Sequence, residues 1–225
     1  MVPEISADNP DLTTAVPFEL HPLRGRFNAA FFKVMDGYLD WNLRSHKAEV
    51  YRNLPTTVVE LGSGVGANLR YLAEGTKLVA IEPNRHMYPA LKRSAQRHGV
   101  VLEVRDVIAE RIDLPDACTD RVISSLVLCT VADPAQVASE VRRILRPGGH
   151  FSFVEHVAAP EGTVTRFLQR LLRLPWAWTF EGCSCERDLE GIIRQAGFSA
   201  VTVDGYRLHT PFVPFNTQIA GTAVA

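Results

Sequence analysis

One short stretch constrains this chain more than any other. Glu60-Leu61-Gly62-Ser63-Gly64-Val65-Gly66 leaves a β-branched run, Thr57 to Leu61, and enters Asn68 to Ala73, which reads as the start of a helix. Glycines at a strand-to-helix turn permit left-handed backbone and let a ligand approach the main chain closely. The order then repeats. Lys77 to Ile81 reads as a strand, and residues 86–98 as a helix with Met87, Leu91 and Ala95 spaced by four. Val100 to Val104 and Arg121 to Leu126 read as strands. Val137 to Leu145 reads as a helix stopped by Pro147-Gly148-Gly149, and His150 to Val154 as a fifth strand. Such alternation predicts a parallel sheet with crossover helices, an α/β fold. Upstream, Phe27, Phe31, Phe32, Met35, Tyr38, Leu39 and Leu43 recur at spacings of three and four, predicting an amphipathic helix within 24–53 that ends at Leu54-Pro55. Downstream, Arg187 to Ala196 reads as a helix capped by Gly197, and Ala200 to Tyr206 and Ile219 to Val224 as final strands.

The loop also speaks to its ligand. A dinucleotide loop separates its second and third glycines by three residues, leaving room for a pyrophosphate at a helix N-terminus. Here Gly66 follows Gly64 by only two. Glu60 beside the loop would repel a diphosphate and suits a ligand with a cationic amino group. S-adenosylmethionine has an amino-acid end, a sulfonium and a ribose, and no phosphate. Glu82 ends the second strand about 20 residues beyond the loop, where a carboxylate accepts hydrogen bonds from ribose hydroxyls. The plainer alternatives are a tight turn without ligand, a structural Glu60 bonding loop amides, and a solvent-facing Glu82.

Lys and Arg total 24 against 25 Asp and Glu, for a net charge of -1, which excludes a nucleic-acid binder working by net charge. The 46% hydrophobic content excludes a disordered chain. No apolar run approaches the roughly 18 residues of a membrane span. The opening MVPEISADNPDLTT lacks a basic segment followed by an apolar one, so no secretory signal is expected and a cytoplasmic location is the default. Residues 1–17, with three prolines, read as a flexible leader. Four cysteines, Cys118, Cys129, Cys183 and Cys185, make no disulfide framework. Cys183 and Cys185 lie two apart, and no second close pair or histidine completes a zinc pattern in sequence, so reduced thiols and no metal are expected.

At the carboxyl edge of the fifth strand stands His156, the strongest base candidate, against the plainer reading of a hydrogen-bonded sheet-edge histidine. Glu155 before it would point to the opposite strand face or orient it. Residues 163–180 break the alternation. Val164, Phe167, Leu168, Leu171, Leu172 and Leu174 form one face, and Arg166, Arg170 and Arg173 another. Phe167, Leu171, Trp176, Trp178 and Phe180 are expected either to wall an apolar acceptor cavity closed by Phe27, Phe31 and Phe32 or to be ordinary core. The arginine face is either simply solvated or allows weak peripheral membrane contact. Cys129 after the fourth strand either lines the pocket or packs as a small buried group.

VVELGSGVGANLRYL, VAIEP, DRVISSLVLCTV and RRILRPGGHFSFVEH appear in that order, and together they resemble the successive motifs of class I S-adenosylmethionine-dependent methyltransferases over roughly residues 55–157. The resemblance implies a Rossmann-like fold with a mostly parallel seven-stranded sheet flanked by helices. It implies S-adenosylmethionine as cofactor, held by Glu60, Gly62, Ser63, Gly64, Gly66, Asn68, Glu82, Pro83, Asp106, Ala109 and Leu126. Where family members often carry Asp-Ala at the adenine contact, this chain has Ile108-Ala109 followed by Glu110, leaving the backbone of Ala109, Glu110 or Asp106 for that role. SLVLCTV, LRPGGHFSFVEHVAA and the late Pro175-Trp176-Ala177-Trp178 through Phe180-Glu181-Gly182-Cys183 with Arg187 further resemble the thiol S-methyltransferases of the methyltransferase-like-seven type. That closer likeness implies methylation of a small lipophilic thiol or dithiol, with Phe27, Phe31, Cys129, Trp178 and Cys183 at the acceptor. A phenol, quinone or polyketide-like acceptor methylated on oxygen or carbon is the alternative. One domain is expected: leader and helical lid at 1–53, cofactor-binding core at 54–157, substrate cap and helix at 158–199, and C-terminal strands at 200–225. A small-molecule acceptor and no nucleic-acid partner are expected.

Overall fold

The computed structural model describes residues 22–225, so the leader 1–17 and His21 lie outside the described residues. Helix α1 spans Pro22–Val50. Strands β1 (Thr57–Leu61), β2 (Lys77–Ile81), β3 (Val101–Arg105), β4 (Thr119–Ser125) and β5 (Leu145–His156) follow. Helices α2 (Tyr88–His98) and α3 (Pro134–Ile144) lie between them. Helices α4 (Val164–Thr179) and α5 (Leu189–Gln195) precede β6 (Ala200–Arg207) and β7 (Thr217–Val224).

The seven strands form one sheet in the order β3-β2-β1-β4-β5-β7-β6. The first five pair in parallel, and β7 runs antiparallel to both β5 and β6. β1 is therefore the switch point. The chain leaves β1 toward β2 on one side and reaches β4 on the other, which opens a crevice at the carboxyl ends of the strands.

Burial on both faces explains the apolar strands. Val58, Leu78 and Ala80 pack with Leu91 and Ala95 of α2 and with Tyr51. Val59, Leu61, Val79 and Ile81 point the other way, into a core with Val137, Val141, Leu189 and Ile193 of α3 and α5. Adjacent residues in a strand thus serve opposite cores. α3 starts where Asp133 Oδ1 accepts from the amides of Ala135 and Gln136, each at 3.0 Å, with Pro134 in the first turn.

Two expectations are corrected. The segment after the glycine loop is no α-helix but a 3₁₀ turn, Leu69–Tyr71. Its amides bond three residues back, Tyr71 N to Asn68 O and Leu72 N to Leu69 O, while the Asn68 side chain is drawn to Glu60. The apolar stripe of α4 also faces outward: Val164, Phe167, Leu171, Leu174 and Trp178 are all exposed. The helix docks through its polar side instead. Buried Gln169 accepts from Ala159 N at 2.8 Å and donates to the carbonyls of Val157 and Pro214 at 3.1 and 3.0 Å. Three satisfied bonds to one amide side chain fix the helix alongside the packing of Trp176.

Gly221 of β7 tests this packing. A Cβ there would meet Thr202 O at 2.3 Å and Phe153 Cζ at 2.7 Å. Gly221→Ala should lower the unfolding free energy by about 1–3 kcal/mol in denaturant titration. Gly37→Ala, on open helix surface with nothing within 4 Å, should raise it by up to about 1 kcal/mol.

Candidate active site

The crevice is a cavity of about 680 Å³. Its floor is the loop from β1. Gly62 and Gly64 hold left-handed φ values of 53° and 52°. A Cβ on Gly62 would come within 2.6 Å of Val127 Cγ2, so both backbone and space require glycine there. Gly62, Ser63 and Gly64 line the cavity. Gly66 does not. Its missing Cβ would strike Ser94 Cβ at 2.7 Å, so this glycine serves the packing of α2. Glu60 stands behind the loop, fully buried, and accepts from Asn68 Nδ2 at 2.7 Å. Asn68 reaches the cavity, whereas Glu60 supports it from beneath.

Glu82, past the end of β2, is tied by both carboxylate oxygens. Oε2 accepts from Gly64 N at 2.7 Å and Oε1 from Asn84 N at 2.8 Å. Burial raises its pKa to about 7 against these two bonds. Pro83 also lines the cavity. Asn84 Nδ2 donates to Glu181 Oε1 at 3.1 Å, and burial together with the Glu82 charge raises Glu181 to about 8. Ile108, Ala109 and Glu110 form the next wall, followed by Leu126, left-handed at φ 62°. Glu110 is already engaged, accepting from Ala132 N at 2.8 Å. Asp106 lies outside the cavity lining and accepts from Arg85 Nε at 2.6 Å.

Helix α1 closes the cavity with residues that sequence reasoning missed. Asp36, Asp40, Leu43 and Lys47 all line it. Their spacings of four, three and four put them on one helix face, a signal visible in the sequence but hidden by attention to the apolar residues. Burial lowers the Lys47 pKa to about 8, with Asp40 and Glu60 opposing. Arg70 braces Asp36 and Asp40.

Three strands away, His156 ends β5. By strand spacing this is about 14 Å from the end of β2. His156, Cys129 and Cys183 are all buried cavity residues. Cys183 Sγ lies 3.5 Å from Cys129 Sγ and 3.6 Å from His156 Nδ1, and the three atoms are within 4.8 Å of one another. Burial pushes the Cys183 thiol up, but the hydrogen bond from Cys129 and the charge of His156 outweigh it, and the group falls well below its ordinary pKa. Burial likewise opposes charge on His156, and Cys183 overcomes it, so the imidazole pKa rises. Cys129, donating to Cys183 and buried, moves up. The two shifts favour proton transfer from Cys183 to His156, whose Nε2 has no hydrogen-bond partner among the described residues. Folding thus supplies the histidine partner for Cys183 that linear spacing does not reveal. Cys185 is buried, and burial raises its thiol pKa.

Other expected acceptor residues divide. Phe31, Phe32, Trp176 and Phe180 line the cavity, with Phe31 and Trp176 ring centroids 5.3 and 4.6 Å from Phe180. Phe27 and Trp178 are 51% and 66% exposed and lie outside it, as do Phe167 and Leu171. Glu155 faces away from His156. It accepts from Ser124 Oγ at 2.7 Å and Val127 N at 3.0 Å, holding the β4 exit loop from behind. Strand alternation separates the two roles.

A family model described as a methyltransferase domain matches residues 59–153. Thiol S-methyltransferase TMT1B of Rattus norvegicus is 33% identical over 171 residues, covering 75% of this chain and 70% of that protein. Thiol S-methyltransferase TMT1A of Homo sapiens is 31% identical over 193 residues, covering 81% and 79%. The crystal structure of a SAM-dependent methyltransferase from Aquifex aeolicus superposes with a TM-score of 0.61 at 17% identity, covering 87% of this chain and 97% of that one.

If Glu155 is a support, Glu155→Ala strands the Val127 amide. It should cost about 1–3 kcal/mol of stability in denaturant titration, in the absence of any ligand.

Proposed function

This chain belongs to the S-adenosylmethionine-dependent methyltransferases, and on that premise we propose that it S-methylates a small lipophilic thiol or dithiol. The observation carrying this reading is the wall formed by Cys129, His156 and Cys183 beside Phe31, Trp176 and Phe180. It is buried, aromatic and rich in sulfur, with Arg187 as the charged neighbour of its thiols and imidazole. The relatives named as thiol S-methyltransferases support the same acceptor class.

The loop end fits the cofactor. A single 3₁₀ turn follows the glycines, so no helix dipole is aimed at a phosphate there. Glu82 and Asn84 would offer acceptors and donors to ribose hydroxyls, and Ile108, Ala109 and Glu110 would form the wall beside an adenine. Lys47 and the Asp36–Asp40 pair, braced by Arg70, suit a zwitterionic amino-acid end. When bound, S-adenosylmethionine supplies an electrophilic methyl on a sulfonium.

The chain's own work is orientation, desolvation and proton placement. Phe31, Trp176 and Phe180 exclude water from the acceptor. His156 Nε2 offers the acceptor sulfur a hydrogen bond. Cys129 and Cys183 set polarizable sulfur beside the acceptor, whose proton passes to solvent. A thiol demands little more, since its ordinary pKa of about 8.5 already leaves a few per cent thiolate at neutral pH.

With S-adenosylmethionine and a panel of alkyl and aryl thiols, the methyl thioether should appear by mass spectrometry. Turnover of phenols with no thiol product would replace this reading with O-methylation. Cofactor binding should also show a bell-shaped pH dependence. Below about 7 Glu82 takes up its proton and loses acceptor strength; above about 8 Lys47 loses its charge. Calorimetric affinity for S-adenosylhomocysteine should peak between those values. Glu82→Gln should remove the acid limb and Lys47→Met the alkaline one.

A further inference from the structure

We infer that Cys129 Sγ, His156 Nδ1 and Cys183 Sγ form a binding site for a thiophilic divalent ion of the Zn²⁺ class, with its fourth position open to the cavity for the acceptor sulfur. The open-position part rests on the thiol reading above; the site itself rests on geometry.

Zinc sits at about 2.3 Å from cysteine sulfur and about 2.0–2.1 Å from histidine nitrogen, in tetrahedral array. Those lengths place two sulfur ligands about 3.8 Å apart and sulfur from nitrogen about 3.6 Å. The observed Cys129–Cys183 and Cys183–His156 separations are 3.5 and 3.6 Å, and no pair of the three atoms exceeds 4.8 Å. Adjustments of a few tenths of an ångström along those two edges, and a closing of the third by at most about 1.2 Å, admit the ion.

The three ligands come from separate elements: the β4 exit loop, the end of β5 and the turn after α4. Each is held independently of any ion. Ser184 N donates to Cys129 O at 2.7 Å, Cys183 N to Phe180 O at 2.8 Å, and Val157 N to Thr217 O at 3.0 Å. Left-handed backbone at Glu181 and Gly182, φ 53° and 81°, turns Cys183 inward. All three ligand residues line the cavity, so the remaining face of the triangle opens onto it.

Three protein ligands plus one open position is the arrangement of reactive zinc centres, whereas structural sites close with four. Charge balances: two thiolates and a neutral imidazole compensate a divalent ion. Loading expels two protons, one from Cys129 and the one shared by Cys183 and His156. An acceptor thiol then enters the fourth position as thiolate, its proton leaving to solvent, because a coordinated thiol is deprotonated.

The test is a titration of reduced, chelator-treated, full-length protein with Co²⁺, read by visible absorption. One Co²⁺ per chain should produce a tetrahedral spectrum with a sulfur-to-metal charge-transfer band, and Zn²⁺ should displace it. Cys129→Ser, Cys183→Ser and His156→Ala should each weaken Co²⁺ binding by about tenfold or more. Their S-adenosylhomocysteine affinity, measured alongside, should persist and certify folding. A simple alkyl thiol should shift the spectrum and a phenol should not. Absence of the band from reduced protein that still binds S-adenosylhomocysteine overturns the site, as does a band surviving the double serine variant. A band that ignores thiols the enzyme methylates overturns the open position. A band that responds to thiols no assay shows methylated leaves the site standing and removes the thiol-acceptor reading instead.

Discussion

The geometry of the crevice depends on buried carboxylates that take up backbone amides where parallel strands end. Such ends leave N–H groups without ladder partners. Glu82 receives the amides of Gly64 and Asn84, tying the β1 loop to the exit of β2. Glu155 does the same for Val127 across β4 and β5. Together they hold apart the connections that diverge at β1. Their burial raises both pKa values, so the same desolvation that shapes the floor makes Glu82 responsive near neutral pH.

The cavity has two chemically distinct regions because different strands terminate in it. Around β1 and β2 the lining is hard: carboxylates, an amide and, from α1, a lysine whose pKa burial lowers to about 8. Around β4 and β5 it is softer: two thiols and an imidazole under aromatic cover, with Arg187 beside them. Helices α1 and α4 meet over it, Asn28 Nδ2 donating to Thr179 O at 3.0 Å and Arg24 to Ala177 O at 3.2 Å. Gln169 anchors α4 by hydrogen bonds and Trp176 packs inward, while Val164, Phe167, Leu171, Leu174 and Trp178 lie outside.

Much of this was legible in linear order. Short continuous apolar runs alternating with period-four ones point to a parallel sheet with crossover helices, and the strand-to-loop transition at Leu61-Gly62 locates the crevice. The elements that misled were those whose local pattern competes with side-chain bonding. Asn68 prefers Glu60 to helix initiation, and α4 carries a convincing amphipathic stripe that no described residue covers. Asp106 followed β3 at a promising position but found Arg85.

What the sequence determined alone was the fold class, the glycine loop with Glu82 behind it, and His156 at a strand end, because those follow from periodicity and backbone requirements acting over a few residues. What only tertiary structure decided was the company each residue keeps. Cys129 and Cys183 are 54 positions apart, and nothing local in either segment names the other. Their meeting with His156 follows from strand order and from a left-handed turn after α4. Lys47 likewise becomes a cavity residue only because α1 folds back across the loop. Chemistry that needs several side chains at once is set by packing, and packing is a property of the whole sheet.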